Sequence, residues 1–169
     1  MAEFNKNFLS PLGFSFTIKK APAFSAFVQS INIPSVNLGV AQVPTKLHNI
    51  PYGGDHLEYG EVNAIFRVNE DMSNYLEIFN WIIGIGFPSR HEQYKELVSQ
   101  PIETGDGVYS DASLIVYSSA KNPLVKVDFV DLFPISVTDI NFTASDTTLE
   151  YVECTATFRF TDFKFTNNI

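Results

Sequence analysis

Tyr151-Val152-Glu153-Cys154-Thr155-Ala156-Thr157-Phe158-Arg159-Phe160-Thr161 alternates without a break between apolar and polar residues. Val152, Cys154, Ala156, Phe158 and Phe160 share one face; Glu153, Thr155, Thr157, Arg159 and Thr161 share the other. A period of two is the signature of a half-buried β-strand, so the first face is assigned to a core. Extended from Leu149 to Phe163, the run would reach about 50 Å at ~3.3 Å per residue. Strands in small domains usually hold about 5–6 residues. A strand this long points to a sheet that continues into neighbouring subunits.

Working outward, most of the chain has the same character. Phe14 to Lys19 alternates strictly and predicts a strand, which Pro22 ends. Phe24–Ile33 reads as a second extended run closed by Pro34. Val36–Pro51 is punctuated by proline and reads as one or two short strands, with Tyr52-Gly53-Gly54-Asp55 as a turn. Leu57–Val68 reads as one long strand, with Val62, Ala64, Phe66 and Val68 on its apolar face and Glu61, Asn63 and Arg67 away from it. Ala112–Tyr117 and Leu124–Phe129 form a hairpin pattern. Phe133-Pro134 predicts an interruption before a further strand over Ile135–Phe142, and a polar turn follows at Ala144–Thr148.

One stretch breaks the strand pattern. Asp71 or Ser73 is placed to cap a helix, and Leu76, Phe79, Ile82 and Ile83 follow at helical spacing around Trp81. Gly84, Gly86 and Pro88 read as its stop. Ser89 and Glu92 form a capping-box pattern, which predicts a short second helix over Arg90–Val98. Leu76, Phe79, Trp81 and Ile82 are assigned to packing against the sheet or a neighbour. Residues 1–12 are polar and end near Ser10-Pro11, so they read as an N-terminal arm on one domain spanning 13–169. The fold class is mainly β with a central amphipathic helix.

Composition narrows the function. The 169 residues include 16 Phe and 7 Tyr, too much apolar area for a wholly disordered chain. The formal net charge of −8 disfavours a sequence-specific DNA reader, which needs a basic face. Only 18% of residues are charged, so part of the surface is expected to meet other subunits. Cys154 is the single cysteine, which excludes an internal disulfide and a thiolate zinc site. On an apolar strand face it reads as an inert buried thiol. Phe79–Pro88, the longest near-apolar run, falls far short of the ~20 residues of a membrane-spanning helix. The N-terminus lacks the pattern of a secretory signal.

Candidate chemistry is thin. His48 and His56 lie near Asp55 and Glu58, but no ligand spacing fixes them, and His91 reads as solvated. No serine sits in a Gly-x-Ser-x-Gly elbow. Gly84-Ile85-Gly86 ends a helix instead of opening one, so it cannot cradle a phosphate as a helix N-terminus does. Glu58 with Glu61, and Asp128 with Asp131, are acidic pairs that lack a third catalytic partner. No enzyme, cofactor or metal is expected.

Three stretches carry a family resemblance. They are the early strand leading into Ile33-Pro34, the block from Phe66-Arg67-Val68-Asn69-Glu70-Asp71 through Tyr75 to Trp81, and Leu132-Phe133-Pro134-Ile135-Ser136-Val137 followed by the closing strand. In this order the chain resembles the tail tube proteins of T4-like contractile-tailed phages and their baseplate tube initiators. The likeness covers the chain from about Phe14 onward at the level of pattern. It implies a β-sandwich or barrel-like domain flanked by a helix. It further implies that six copies form a ring whose sheets join into an inner barrel, and that rings stack into a conduit for DNA. Tail sheath and baseplate proteins would be the outer partners, and the mature location would be the virion tail after assembly in the host cytoplasm. Glu61, Asn63, Glu153, Thr155, Thr157, Arg159 and Thr161 are then the expected lumen residues, on an acidic surface that lets DNA slide. Arg159 needs an acid beside it. A once-per-particle ring, as initiator or terminator, is the alternative within this class; a ligand-binding β-barrel is the alternative outside it.

Overall fold

In chain order the elements are β1 (Phe14–Ile18), α1 (Pro22–Ala26), β2 (Val28–Ile31), β3 (Val36–Pro44), β4 (Asn49–Tyr59), β5 (Val62–Arg67), α2 (Ser73–Gly86), β6 (Ser110–Tyr117), β7 (Pro123–Val137), β8 (Glu153–Arg159) and β9 (Asp162–Asn167). The computed structural model describes residues 8–9, 11–86, 95, 107–143 and 151–167. The second helix expected over Arg90–Val98 therefore lies, Lys95 apart, outside the described residues, as does the turn expected at Ala144–Thr148.

β7 is the spine. Its first half, Val125–Val130, pairs with β6 on one side and β9 on the other; its second half, Phe133–Val137, pairs with β8. The changeover is at Asp131, which holds a left-handed φ of 54°. There the β6 register steps from Ala112↔Phe129 to Ser110↔Leu132, leaving one extra residue in β7. Such a bulge bends a strand and raises its twist, which lets it leave one sheet and enter another. Pro134 does not interrupt the strand as expected. A second register shift between Pro134 and Ser136 accommodates it, and a bulge is where a ladder tolerates a residue without an N–H.

The closing run turns the same corner. The single long strand expected over Leu149–Phe163 is instead β8 and β9, divided at Phe160-Thr161. Its partner β7 bends, and the Thr161 N–H donates to the Val130 carbonyl at 3.0 Å at that point. A straight strand could not follow both halves of β7. The sheet order is β1-β6-β7-β8-β5-β2, with β9 on β7, and every pairing is antiparallel.

The concave side of this bent sheet holds the core, where Phe16, Phe66, Leu114, Phe129, Leu132 and Phe158 are buried. α1 closes one part of it. The extended run expected over Phe24–Ile33 is a helix first and a strand only from Val28. Pro22 suits the first helical turn because its missing N–H would be unsatisfied there anyway. The Ala23 and Phe24 N–H groups donate to the Glu77 carboxylate of α2, at 3.3 and 2.9 Å. This cap comes from 53 residues away. Phe24 is fully buried and meets Phe66 and Phe158 edge to face, with centroids 4.8 and 5.6 Å apart.

α2 begins as expected. The Asp71 carboxylate accepts the Ser73 N–H at 3.1 Å, and that bond holds its pKa below the usual carboxylate value. The face it buries is different from the expected one. Asn74, Ile78, Trp81 and Gly84 are buried, and Ile82 packs at the margin. Leu76 and Phe79 are 44% and 41% exposed, so they are not core residues. At ~100° per residue they fall roughly opposite Trp81. The helix is apolar nearly all round, so periodicity could not choose between its faces. Gly84 lies inside the helix and does not end it. Trp81 donates its indole N–H to the Val108 carbonyl at 2.8 Å, and the half-buried Lys20 ammonium lies 5.6 Å from its ring. Burial lowers the Lys20 pKa.

The β8 face assignment has a direct thermodynamic test. Cys154, Ala156 and Phe158 are buried, while Val152 and Phe160, outside the ladder's two ends, are partly buried. Phe158→Ala should destabilise the chain by about 3–5 kcal/mol in urea unfolding. An unchanged midpoint would remove Phe158 from the core.

Candidate functional site

No group of three or more His, Cys, Asp or Glu among the described residues is arranged to hold a metal. His48, Asp55, His56 and Glu58 are spread along exposed strand and turn. Glu58 pairs with Asn37 in the β3–β4 ladder, whereas Glu61 faces Arg159, so those two acids are not a catalytic pair. Asp128 is bound by Lys126 at 2.7 Å, and Asp131 occupies the β7 bend. Burial pushes the Cys154 thiol pKa up, which suits an inert group. No described helix is long and apolar enough to cross a membrane.

What the fold does build is a largely polar face, interrupted by the exposed Ile65. In the β5–β8 ladder, Val62↔Phe158, Ala64↔Ala156 and Phe66↔Cys154 point into the core. The alternate pairs Asn63↔Thr157, Ile65↔Thr155 and Arg67↔Glu153 therefore share the opposite face. Thr157 donates its hydroxyl to the Asn63 side-chain carbonyl at 2.9 Å. From the edge, Asn32 accepts the Asn63 N–H at 2.6 Å and donates to the Glu61 carbonyl at 3.0 Å. Thr138 accepts the Thr155 N–H at 2.9 Å. Thr161 is exposed at the β8–β9 bend, beyond this ladder.

The charges on this face are matched. Arg159 places Nη2 and Nε on one Glu61 oxygen, at 2.9 and 3.2 Å. Arg67 reaches Glu153 at 3.2 Å and lies 5.2 Å from the Tyr151 ring. Two acids answer two bases, so the face is hydrophilic and charge-balanced instead of acidic. The partner of Arg159 is Glu61, and Glu153 serves Arg67. Arg67 was visible in the sequence, in phase with Asn63. Asn32 and Thr138 were not, because they arrive from just beyond β2 and just beyond β7.

The second surface is the β3–β4 hairpin. The strand expected over Leu57–Val68 divides at Gly60-Glu61, and Tyr52–Asp55 lies within β4 rather than forming a turn. The register shifts between Leu38 and Val40, and a Cβ on Gly54 would meet the Gly39 carbonyl oxygen at 2.6 Å. Only glycine permits that approach. The root is held by Tyr59, whose hydroxyl donates to Asp162 at 3.2 Å and whose ring packs against Phe160 and Phe163. Burial, then Asp162, raises the Tyr59 pKa. Almost every residue from Val36 to Tyr59 is exposed, including Leu38, Val40, Val43, Ile50 and Leu57. A lone two-stranded ribbon is marginal in water, and an apolar one this long is suited to contact with another chain.

No family model matches the sequence, and no curated protein matches it. The fold has clear counterparts among solved structures. The tube-terminating cap of the anti-feeding prophage superposes with a TM-score of 0.62 at 12% identity, over 99% of this chain and 97% of that one. A chain of the PVC sheath–tube complex, an extracellular contractile injection system in its extended state, superposes at 0.61 and 11% identity, over 96% and 94%. A chain of the anti-feeding prophage baseplate, from a 6-fold symmetrised reconstruction, superposes at 0.57 and 12% identity, over 91% of each. The protein therefore has the β-rich fold found in the tube, cap and baseplate parts of contractile injection systems.

The paired charges tune the face and do little to hold the fold. Both members of the Arg159–Glu61 pair are substantially exposed, and such pairs contribute about 0.2–1 kcal/mol. The double variant Glu61→Gln, Arg159→Gln should stay within about 1 kcal/mol of the parent in urea unfolding. A larger loss would make this pair structural.

Proposed function

We propose that this chain is a structural, non-enzymatic subunit of a phage tail or related contractile injection machine. Residues 13–169 are its tube-type domain and residues 1–12 an arm. Six copies form a ring, rings stack into the inner tube, and the tube conducts DNA. Glu61, Asn63, Glu153, Thr155, Thr157 and Arg159 line the lumen, with Thr161 at its margin. Sheath and baseplate proteins meet the outside, and the assembled particle carries the protein in its tail after assembly in the host cytoplasm.

The observation that carries this reading is the charge-matched polar face on a fold shared with tube and cap proteins. Threonine and asparagine hold water but offer a phosphate no cation. With Arg159 and Arg67 each held by a carboxylate, passing DNA meets no free guanidinium among the described residues of that face. Ring closure has a physical basis too. Among the described residues β1 and β2 are the end strands of the sheet path, and such edges are a liability in a monomer and a joining surface in a ring. The 6-fold symmetrised baseplate supports the copy number. A second reading is a ring present once per particle, favoured by the superposition on a tube-terminating cap.

Negative-stain microscopy of the purified chain should show six-membered rings with a central channel. Long tubes indicate the repeating subunit, and isolated rings the single-copy role. Thr155→Lys with Thr157→Lys should leave rings intact but slow DNA passage, and the defect should ease at high salt as phosphate attraction is screened. Unimpaired DNA passage in particles carrying both changes would take these threonines out of the lumen.

A further inference from the structure

Main-chain bonds determine which edge of β9 is open. Tyr117 donates its N–H to the Gly13 carbonyl at 2.9 Å, and Lys19 donates its N–H to the Asp111 carbonyl at 3.3 Å. A strand residue directs its N–H and C=O to the same neighbour, and successive residues alternate. Asp111, Ser113, Ile115 and Tyr117 therefore face β1, which leaves Ala112, Leu114 and Val116 for β7. Those three engage Phe129, Val127 and Val125. Lys126, Asp128 and Val130 must then turn to β9, where they meet Thr166, Lys164 and Asp162. The main chains of Phe163, Phe165 and Asn167 thus point away from β7.

The first rung of that outer edge is closed. The Phe163 N–H donates to the Asp162 carboxylate at 2.8 Å, and the same carboxylate accepts the Tyr59 hydroxyl. The next rungs are open. Among the described residues, the N–H groups of Phe165 and Asn167 have no acceptor, and only β7 pairs with β9. Phe165 is 55% exposed, so water reaches this edge.

The flanking side chains decide what strand would fit. Lys164 lies across from Asp128, but Asp128 is bound by Lys126 at 2.7 Å. Lys164 makes no ion pair among the described residues. On the other face Phe165 extends the aromatic row from Phe163, edge to face at 5.4 Å. An added strand would meet an unpaired cation on one face and an aromatic ring on the other.

A second copy of this chain fits that edge badly. β1 and β2, at the ends of the sheet path, carry no acid. β9 against itself offers Lys164 no free carboxylate, since its one acid, Asp162, is held by Tyr59 and the Phe163 N–H. Edge lysines guard sheets against self-pairing for this reason.

We infer that the β9 edge takes up an extended segment of a different protein, one in which acidic and apolar residues alternate. Its backbone pairs with Phe165 and Asn167, its acids meet Lys164, and its apolar side chains pack on Phe165. Strand addition of this kind draws affinity from main-chain bonds and selectivity from alternate side chains.

A fluorescein-labelled heptapeptide of alternating valine and glutamate, titrated with the full-length chain, tests this by fluorescence anisotropy. Saturable binding is expected. Replacing the glutamates by lysine, or N-methylating the valines whose N–H groups face β9, should each weaken it by about tenfold or more. Phe165→Pro should do the same while leaving the unfolding midpoint near the parent's, because that N–H takes no part in the β7 ladder and edge strands tolerate proline. Lys164→Glu should turn the preference toward the lysine peptide. In hydrogen exchange, the Phe165 and Asn167 amides should be fast in the free chain and slow once the peptide is bound, with Lys164 slow in both. No binding, or binding indifferent to N-methylation and to Lys164→Glu, would overturn the proposal. So would Phe165 and Asn167 amides that become protected as the chain alone is concentrated, since a second copy would then hold the edge. If Phe165→Pro unfolds the chain, the N-methylated peptide against the parent decides.

Discussion

The bend in β7 at Asp131 is the constraint on which the rest of the molecule depends. One extra residue and one left-handed φ turn a fifteen-residue strand from one sheet into another. Because β8 and β9 hydrogen-bond to the two halves of that strand, they must divide where it bends. Because β5 pairs with β8, and β2 with β5, the orientation of the polar ladder follows from the same corner. A flat sheet with the same residues would bury neither face well; the bent one encloses a core that α1 and α2 close.

Packing at the centre of that core is aromatic and local strands alone do not complete it. Phe24 reaches Phe66 and Phe158 only because α1 is helical, and α1 is helical in part because Glu77 takes up two of its amides. Asn74, fully buried, donates to the Arg67 carbonyl at 2.7 Å and so ties the start of α2 to the end of β5. Each of these polar contacts satisfies a backbone group that would otherwise be buried at a cost of about 1–3 kcal/mol. The helices are thereby part of the sheet's own architecture.

Function in such a fold resides in surfaces. One is largely hydrophilic, charge-matched and regular; the other is an exposed ribbon that carries Leu38, Val40, Val43, Ile50 and Leu57 on its surface. They are suited to different surroundings, water for the first and another protein surface for the second. A single alternating pattern along β5 and β8 supplies both the core and the polar face, so a change of register by one residue would exchange them.

The strand character of β1, β5, β6 and β8, the cap and start of α2, and which residues of β5 and β8 face away from the core are all legible in the amino-acid sequence. These follow from period-two alternation and local capping, which act between near neighbours and survive any tertiary arrangement. Long-range packing sets the remainder: Phe24 belongs to a helix, Leu76 and Phe79 face outward while Trp81 is buried, Pro134 sits within a strand, and the closing run bends at Phe160-Thr161. The same packing makes Glu61 the partner of Arg159 and leaves the ribbon from Val36 to Tyr59 clear of the core. The common physical reason is that each depends on a group distant in the chain: Glu77 for α1, the sheet surface for the choice of helix face, β6 and β7 for the corner. Hydrophobic patterning states which residues seek burial, but the element they are buried against is set by pairings that no local window contains.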